Sequence, residues 1–172
     1  MRVVAGELRG RRLASPPAAA RIRPTSDRVR EALFSILGDL SGANVLDLFC
    51  GTGALAIEAL SRGAAEATLV DTDIRLARRN VRTLDLDDRC ELVRGDALRF
   101  LRGAQRRYDL AFCDPPYKLA DRLGPPLSEL LAERLAEDAR VIVESATRAP
   151  LSLELPLIVE RRYGDTLIRV YS

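Results

Sequence analysis

One segment of the 172-residue chain carries residue types at a spacing that suits amine chemistry. In Tyr108 to Tyr117, YDLAFCDPPY, an apolar run ends in the carboxylate of Asp114, followed by Pro115, Pro116 and the Tyr117 ring. Pro115 biases Asp114 toward extended geometry, and neither proline offers an N–H, so their carbonyls face outward as unused acceptors. A mouth made only of acceptors suits a planar NH₂ group. Asp114 takes one hydrogen, the Pro115 carbonyl takes the other, and Tyr117 stacks on the attached base. Such a clamp draws the nitrogen lone pair out of conjugation and toward an electrophile. A plain turn at a strand end is the competing account, but open α/β sheets seat their ligands at this carboxyl edge.

A second segment could hold the electrophile's carrier. Val45 to Ala54, VLDLFCGTGA, runs from an apolar strand into a glycine-rich turn and then a helix. A bulky Cβ in that turn would keep a bound nucleoside away from the backbone and the helix N-terminus. Asp71 closes the next strand, about 20 residues after Gly51, where an acidic residue can accept hydrogen bonds from both ribose hydroxyls. Asp96 closes the third, where an adenine ring beside the sheet would meet a polar side chain. Gly51-x-Gly53-x-x-Ala56 also satisfies the dinucleotide pattern, so a nicotinamide-dependent oxidoreductase competes. Asp47 separates the two: buried in an apolar strand it is costly unless hydrogen-bonded, and aimed at the loop amides it would stiffen the turn. Structural glue for Asp47 and a helix N-cap for Asp71 are the plainer alternatives.

The chain has no histidine, which excludes Ser-His-Asp and Cys-His triads, His-ligated zinc and imidazole acid-base chemistry. Cys50, Cys90 and Cys113 are widely spaced without a CxxC pair, so neither a zinc ribbon nor a disulfide framework is indicated. Cys50 and Cys113 read as small residues in apolar sites. The net charge is +2, yet residues 1–30 hold eight arginines against Glu7 and Asp27. That local excess suggests a polyanion-facing arm; a solvated face in an Arg-rich chain is the bland alternative. No long apolar run, signal peptide or lipidation motif occurs, which makes the cytoplasm the expected compartment.

These residues need elements to hold them. Arg2 to Ser15 reads as a hairpin-like arm around Gly6 and Gly10, and Pro16 to Ala20 as a linker. Thr25 suits an N-cap for an amphipathic helix in which Val29, Ala32, Leu33, Ile36 and Leu37 share a face and Gly38 stops it. Strands are expected at Asn44–Phe49, Ala67–Asp71, Cys90–Val93, Tyr108–Cys113 and Ala139–Glu144. Helices are expected near Ala54–Arg62, Asp73–Leu84, Ala97–Leu101 and Leu127–Leu135. The alternation implies a parallel sheet covered on both faces. In the tail, Leu155–Arg162 and Thr166–Tyr171 flank Gly164-Asp165, a hairpin signal. At this length one hydrophobic core suffices.

With both motifs in place, the sequence resembles a class I S-adenosylmethionine-dependent methyltransferase. DLFCGTGALAIEALSRGA and DPPY, preceded by RVVAGELRGRRL and RPTSDRVREALFSIL, are similar to the RsmD family of 16S ribosomal RNA guanine-N2 methyltransferases over nearly the whole chain. DPPY alone is shared by amino methyltransferases of adenine, cytosine or guanine, and NPPY by protein glutamine methylation; the N-terminal pair is the specific part. The resemblance implies a Rossmann-like α/β fold with a seven-stranded, mostly parallel sheet whose last strand is antiparallel. It implies a basic arm at residues 1–24 and a methyltransferase domain at residues 25–172. Phe49, Cys50, Gly51, Thr52 and Gly53 would cradle the methionine portion of S-adenosylmethionine, with Asp47 behind them. Asp71 with Thr72 would hold the ribose, and Asp96 with Ala97 the adenine. Asp114, Pro115, Pro116 and Tyr117 would hold the target amine, a guanine of the 966 type. Arg2, Arg9, Arg11, Arg12, Arg23 and Arg28 would grip 16S ribosomal RNA or the assembling small subunit. A monomer working without a metal is expected. DNA adenine-N6 methylation, a nicotinamide-dependent oxidoreductase and an RNA-binding module with a vestigial pocket are the alternatives.

Overall fold

In a computed structural model, the structure describes residues 1–16, 26–116 and 120–172, with backbone only at residues 120 and 121. The apolar runs form strands β1 (Asn44–Leu48), β2 (Glu66–Asp71), β3 (Cys90–Arg94), β4 (Tyr108–Cys113), β5 (Leu135–Ala146), β6 (Leu157–Tyr163) and β7 (Thr166–Tyr171). The helices are α1 (Asp27–Leu37), α2 (Ala54–Ser61), α3 (Arg75–Thr83), α4 (Ala97–Gly103) and α5 (Ala120–Ala132). All seven strands join one sheet in the order β3-β2-β1-β4-β5-β7-β6. β1 to β5 run parallel to one another, and β7 runs antiparallel between β5 and β6. This is the expected doubly covered α/β sheet with its antiparallel final strand.

Strand alternation sends side chains to two cores. On one face Val45, Phe112 and Ile142 pack with Phe34 of α1, Ile57 and Leu60 of α2, and Val81 of α3. On the other, Leu46, Leu48, Ala111 and Val141 pack with Leu101 of α4 and with Leu127 and Leu131 of α5. Such burial of β1 and β4 on both faces fixes the two strands whose ends carry the motifs. Among the described residues, no helix is long and apolar enough to cross a membrane.

Three local expectations change. Ser26, not Thr25, caps α1: its side chain accepts the Val29 N–H at 3.3 Å, and Thr25 lies outside the described residues, as does most of the linker. The helix expected at Leu127–Leu135 starts earlier and contains Pro125 and Pro126. Each proline forfeits a helical N–H, but Leu127 and Leu131 are fully buried and hold the helix on the sheet. Leu135 instead opens β5 opposite Tyr108, and a register shift then brings Arg140 opposite Leu110. The N-terminal segment does form a hairpin: Val3 donates to the Arg11 carbonyl at 3.0 Å, and Arg2 pairs with Arg12.

Candidate active site

The end of β1 lies between two neighbours, with Leu48 opposite Val70 of β2 and Cys113 of β4. The glycine turn after β1 and the Asp114 segment after β4 therefore leave the same sheet edge side by side. The turn is held in an uncommon conformation, with φ of 62° at Phe49, 52° at Gly51 and 74° at Gly53. A non-glycine residue there costs on the order of 1–3 kcal/mol and persists only where its surroundings impose it. The surroundings do so. Cys50 N–H donates to the Val70 carbonyl at 3.2 Å, Gly53 N–H to the Cys50 carbonyl at 2.7 Å, and Gly51 N–H to the Asp71 carboxylate at 2.9 Å.

The two glycines serve different ends. A Cβ on Gly53 would lie 2.7 Å from Leu69 Cδ2, whereas one on Gly51 would meet nothing within 4 Å. Gly53 admits the sheet, and Gly51 leaves the backbone open on the outer side. That open cradle, with an acidic side chain at its rim, fits a nucleoside cofactor with a cationic centre.

Asp47 is 2% exposed, and its carboxylate accepts the Ala56 N–H of α2 at 3.2 Å. It thus spans the turn, as its place in the strand suggests. Burial, opposed by the Ala56 N–H and assisted by the Asp71 charge, pushes its carboxyl up to about 7. Asp71 does not cap α3, where Ile74 occupies the cap position. Its oxygens instead accept Gly51 N–H, Asp73 N–H at 3.0 Å and the Thr72 hydroxyl at 3.3 Å. Capping falls to Asp96, which accepts the Arg99 N–H at 2.9 Å and starts α4 at the buried Ala97. Asp96 also borders a cavity of about 480 Å³ with Phe100 and Tyr108, and among the described residues is the only predicted site residue to do so. Burial pushes the Cys50 and Cys113 thiols far up, so both behave as small apolar residues.

Asp114 reaches the surface and Pro115 is buried, while Tyr117 lies outside the described residues. β4 and β5 run in register with Cys113 opposite Val143, so the next step brings Asp114 beside Glu144. The two side chains share the sheet face of Phe112 and Ile142, and Glu144 is 8% exposed. Desolvation, then the Glu144 charge, then Asp47 hold the Asp114 carboxyl well above the ordinary carboxylate range. The direction is opposite to the one expected beside a cation. In the protein alone the mouth concentrates negative charge, which is an environment that attracts a cationic ligand.

Glu144 is a site residue that sequence reasoning passed over. Its signal is a carboxylate at the end of the apolar run VIVE, one strand beyond Asp114. Of the predicted arm residues, Arg2, Arg9, Arg11, Arg12 and Arg28 are exposed, and Arg23 lies outside the described residues. Arg2 pairs with Asp27 at 3.2 Å and Arg11 donates to the Thr83 carbonyl at 3.1 Å. Arg30, counted in the same basic cluster, is fully buried and donates to Asp27 and to the Arg2 carbonyl, each at 2.6 Å. It is part of the scaffold.

The whole chain, residues 1–172, matches the family described as Conserved hypothetical protein 95. Ribosomal RNA small subunit methyltransferase D of Escherichia coli K12 is 38% identical over 151 residues, covering 84% of this chain and 74% of that protein. The protein of the same name from Haemophilus influenzae is 32% identical over 183 residues, covering 100% and 93%. A solved Escherichia coli structure, yhhF, described as a candidate methyltransferase, has a TM-score of 0.85 at 34% identity, covering 99% of this chain and 96% of that one.

Proposed function

The chain belongs to the RsmD family of S-adenosylmethionine-dependent methyltransferases, and from that premise we propose that it methylates the exocyclic N2 amine of one guanine in 16S ribosomal RNA. The observation that carries this reading is the register of β1 and β4, with Leu48 opposite Cys113, which sets the Asp114 segment next to an open glycine turn. The small-subunit ribosomal RNA named for its relatives supports the substrate class, and the exposed arginines of the arm supply the charge that a phosphate backbone requires.

When bound, S-adenosylmethionine would supply a sulfonium-bound methyl: as the methyl moves in line to the amine nitrogen the C–S bond breaks, S-adenosylhomocysteine is left, and the amine gives up one proton to solvent. The residues of the chain do the positioning. Asp114 and the Pro115 carbonyl each accept one amine hydrogen, turning the nitrogen lone pair toward the turn. Tyr117 stacks on the base. The Gly51 backbone admits the donor closely, Asp71 accepts from its ribose, and Asp96 with Ala97 meets its adenine. Holding amine and methyl in a near-attack arrangement supplies about 7–11 kcal/mol, and acceptors aimed at the charge developing on nitrogen add about 3–4 kcal/mol. A guanine N2 is paired within a duplex, so the target is unpaired or flipped out. The enzyme acts in the cytoplasm as a monomer.

Mass spectrometry of ribosomal RNA nucleosides from a deletion strain tests the reading. Loss of one N2-methylguanine from the small-subunit RNA, restored by the intact gene, is the expected result. An unchanged nucleoside profile, or loss of N6-methyladenine instead, would replace it.

A further inference from the structure

Asn80 lies on the inward side of α3 and is 2% exposed. Its carboxamide joins two segments remote in sequence. Oδ1 accepts the Ala14 N–H at 2.7 Å, and Nδ2 donates to the Ala14 carbonyl at 3.1 Å and to the Thr52 carbonyl at 2.9 Å. Ala14 belongs to the second half of the basic arm, and Thr52 is the middle of the glycine turn.

The Thr52 carbonyl shares a peptide plane with the Gly53 N–H, which donates to the Cys50 carbonyl at 2.7 Å. That plane is therefore gripped at both ends, by Asn80 on its oxygen and by Cys50 on its nitrogen. Without Asn80 one end is loose. In a turn held at left-handed φ on Phe49, Gly51 and Gly53, a peptide released at its oxygen can rotate, and glycine at position 53 offers little resistance.

The first half of the arm is attached by the other helix that adjoins the turn. Glu58 of α2, fully buried, accepts the Val4 N–H at 2.7 Å and the Ala5 N–H at 2.9 Å, and Ser61 Oγ accepts the Leu8 N–H at 3.0 Å. α2 starts at Ala54, directly after the turn, where Asp47 holds its Ala56 N–H. The arm is thus fastened to α2 and α3, and among the described residues Asn80 alone of those fastening it also reaches the turn itself.

We infer that Asn80 is a positioning residue for methyl transfer: it fixes the Thr52–Gly53 peptide for the donor and locks the basic arm to that peptide, so that RNA grip and donor seat keep one spacing. The inference rests on the functional reading above. Two-point docking of Ala14 would account for Oδ1 and one Nδ2 bond, but not for the second Nδ2 bond to the turn.

The test uses the full chain with S-adenosylhomocysteine as probe, comparing the unmodified protein with Asn80→Ala and Asn80→Asp by calorimetry, at a temperature where circular dichroism shows each folded. Asn80→Asp turns a carboxylate oxygen toward the two carbonyls, so it loses the bond to the turn and keeps, of the two bonds to Ala14, the one from its N–H. Both variants should bind the probe about tenfold more weakly, with KM for the cofactor rising by more than kcat falls. The Ala14 amide should stay protected from hydrogen exchange in Asn80→Asp and lose protection in Asn80→Ala. Probe affinity within twofold of the unmodified chain in either folded variant would overturn the inference, reducing Asn80 to an arm dock. No binding by the unmodified chain would overturn the cofactor reading itself, and is a separate, recognisable result.

Discussion

The Asp47 carboxylate accepts the Ala56 N–H at 3.2 Å across the glycine turn, so one buried side chain ties the end of β1 to the first turn of α2. N–H groups in a helix's first turn have no partner within the helix, and a negative group there is favoured by the helix dipole. Burial opposes the charge and dominates, which is why the carboxyl stands near 7 rather than at its ordinary 3.8.

The sign of the resulting pH dependence follows. Between about 4 and 7 the folded chain binds the Asp47 proton more tightly than the unfolded chain does, so stability falls as pH rises through that window, by at most about 1.4 kcal/mol per pH unit. Asp114 contributes in the same direction and is itself raised in part by the Asp47 charge, so Asp47→Asn removes Asp47's own contribution together with its share of the Asp114 rise. Urea unfolding at a series of pH values should show a shallower decline in the variant. Parallel curves would mean that Asp47 ionises at its ordinary value.

Asp114 and Glu144 make a second pH prediction, this time on activity. Asp114→Ala should lower turnover by about 10²–10³, the cost of losing one aimed electrostatic partner, with cofactor affinity held within a few-fold. Glu144→Gln removes a like charge that raises Asp114, so the acidic limb of the kcat/KM profile should move to lower pH. With no histidine in the chain, an acidic limb above about pH 5 has the raised carboxylates, Asp114 and Asp47, as its source. A limb that stays in place or moves upward in Glu144→Gln would remove Glu144 from the site's electrostatics.

Much of the fold was legible because its strands are continuous apolar runs bounded by turn residues: Tyr108–Cys113 was read to the residue, and Asn44, Cys90 and Thr166 were read correctly as strand starts. Periodicity failed where tertiary contact overrides local preference. Pro125 and Pro126 signal a break, yet they sit inside α5 because Leu127 and Leu131 are held by the sheet. At the site, Asp47 was legible because a carboxylate in an apolar strand demands a partner. Asn80 and Glu58 were not, since their partners Ala14, Val4 and Ala5 are main-chain groups 53 to 66 residues away, and no spacing rule marks a backbone amide. Glu144 needed the register of β5 on β4 to acquire a meaning.

The two turn glycines should separate stability from binding. Gly53→Ala sets a Cβ 2.7 Å from Leu69 Cδ2 at a φ of 74°, so overpacking and backbone strain together should destabilise the fold by about 1–3 kcal/mol or more. Gly51→Ala meets no atom within 4 Å. Its Cβ projects into the open cradle, so the larger loss should be in S-adenosylhomocysteine affinity, with a smaller fall in melting temperature from the φ of 52° alone. Calorimetry and thermal melts on both variants read the split. Equal affinity in Gly51→Ala and the unmodified chain would put the donor elsewhere.

The arm makes the last prediction. Arg9, Arg12 and Arg28 are exposed, whereas Arg30 is buried against Asp27 and the Arg2 carbonyl; only the first group can exchange counterions for phosphates. If the arm makes about four phosphate contacts to single-stranded RNA, affinity should fall with salt at a log–log slope near −3. Each of Arg9→Ala and Arg12→Ala should make that slope shallower by about 0.7 while leaving the melting temperature nearly unchanged. Arg30→Met should do the reverse, because it leaves Asp27 with a lost partner and cannot touch the slope. Fluorescence titrations of an RNA fragment at four salt concentrations distinguish the two behaviours, and a flat response in the unmodified chain would make the arginine cluster a solvated face of the scaffold.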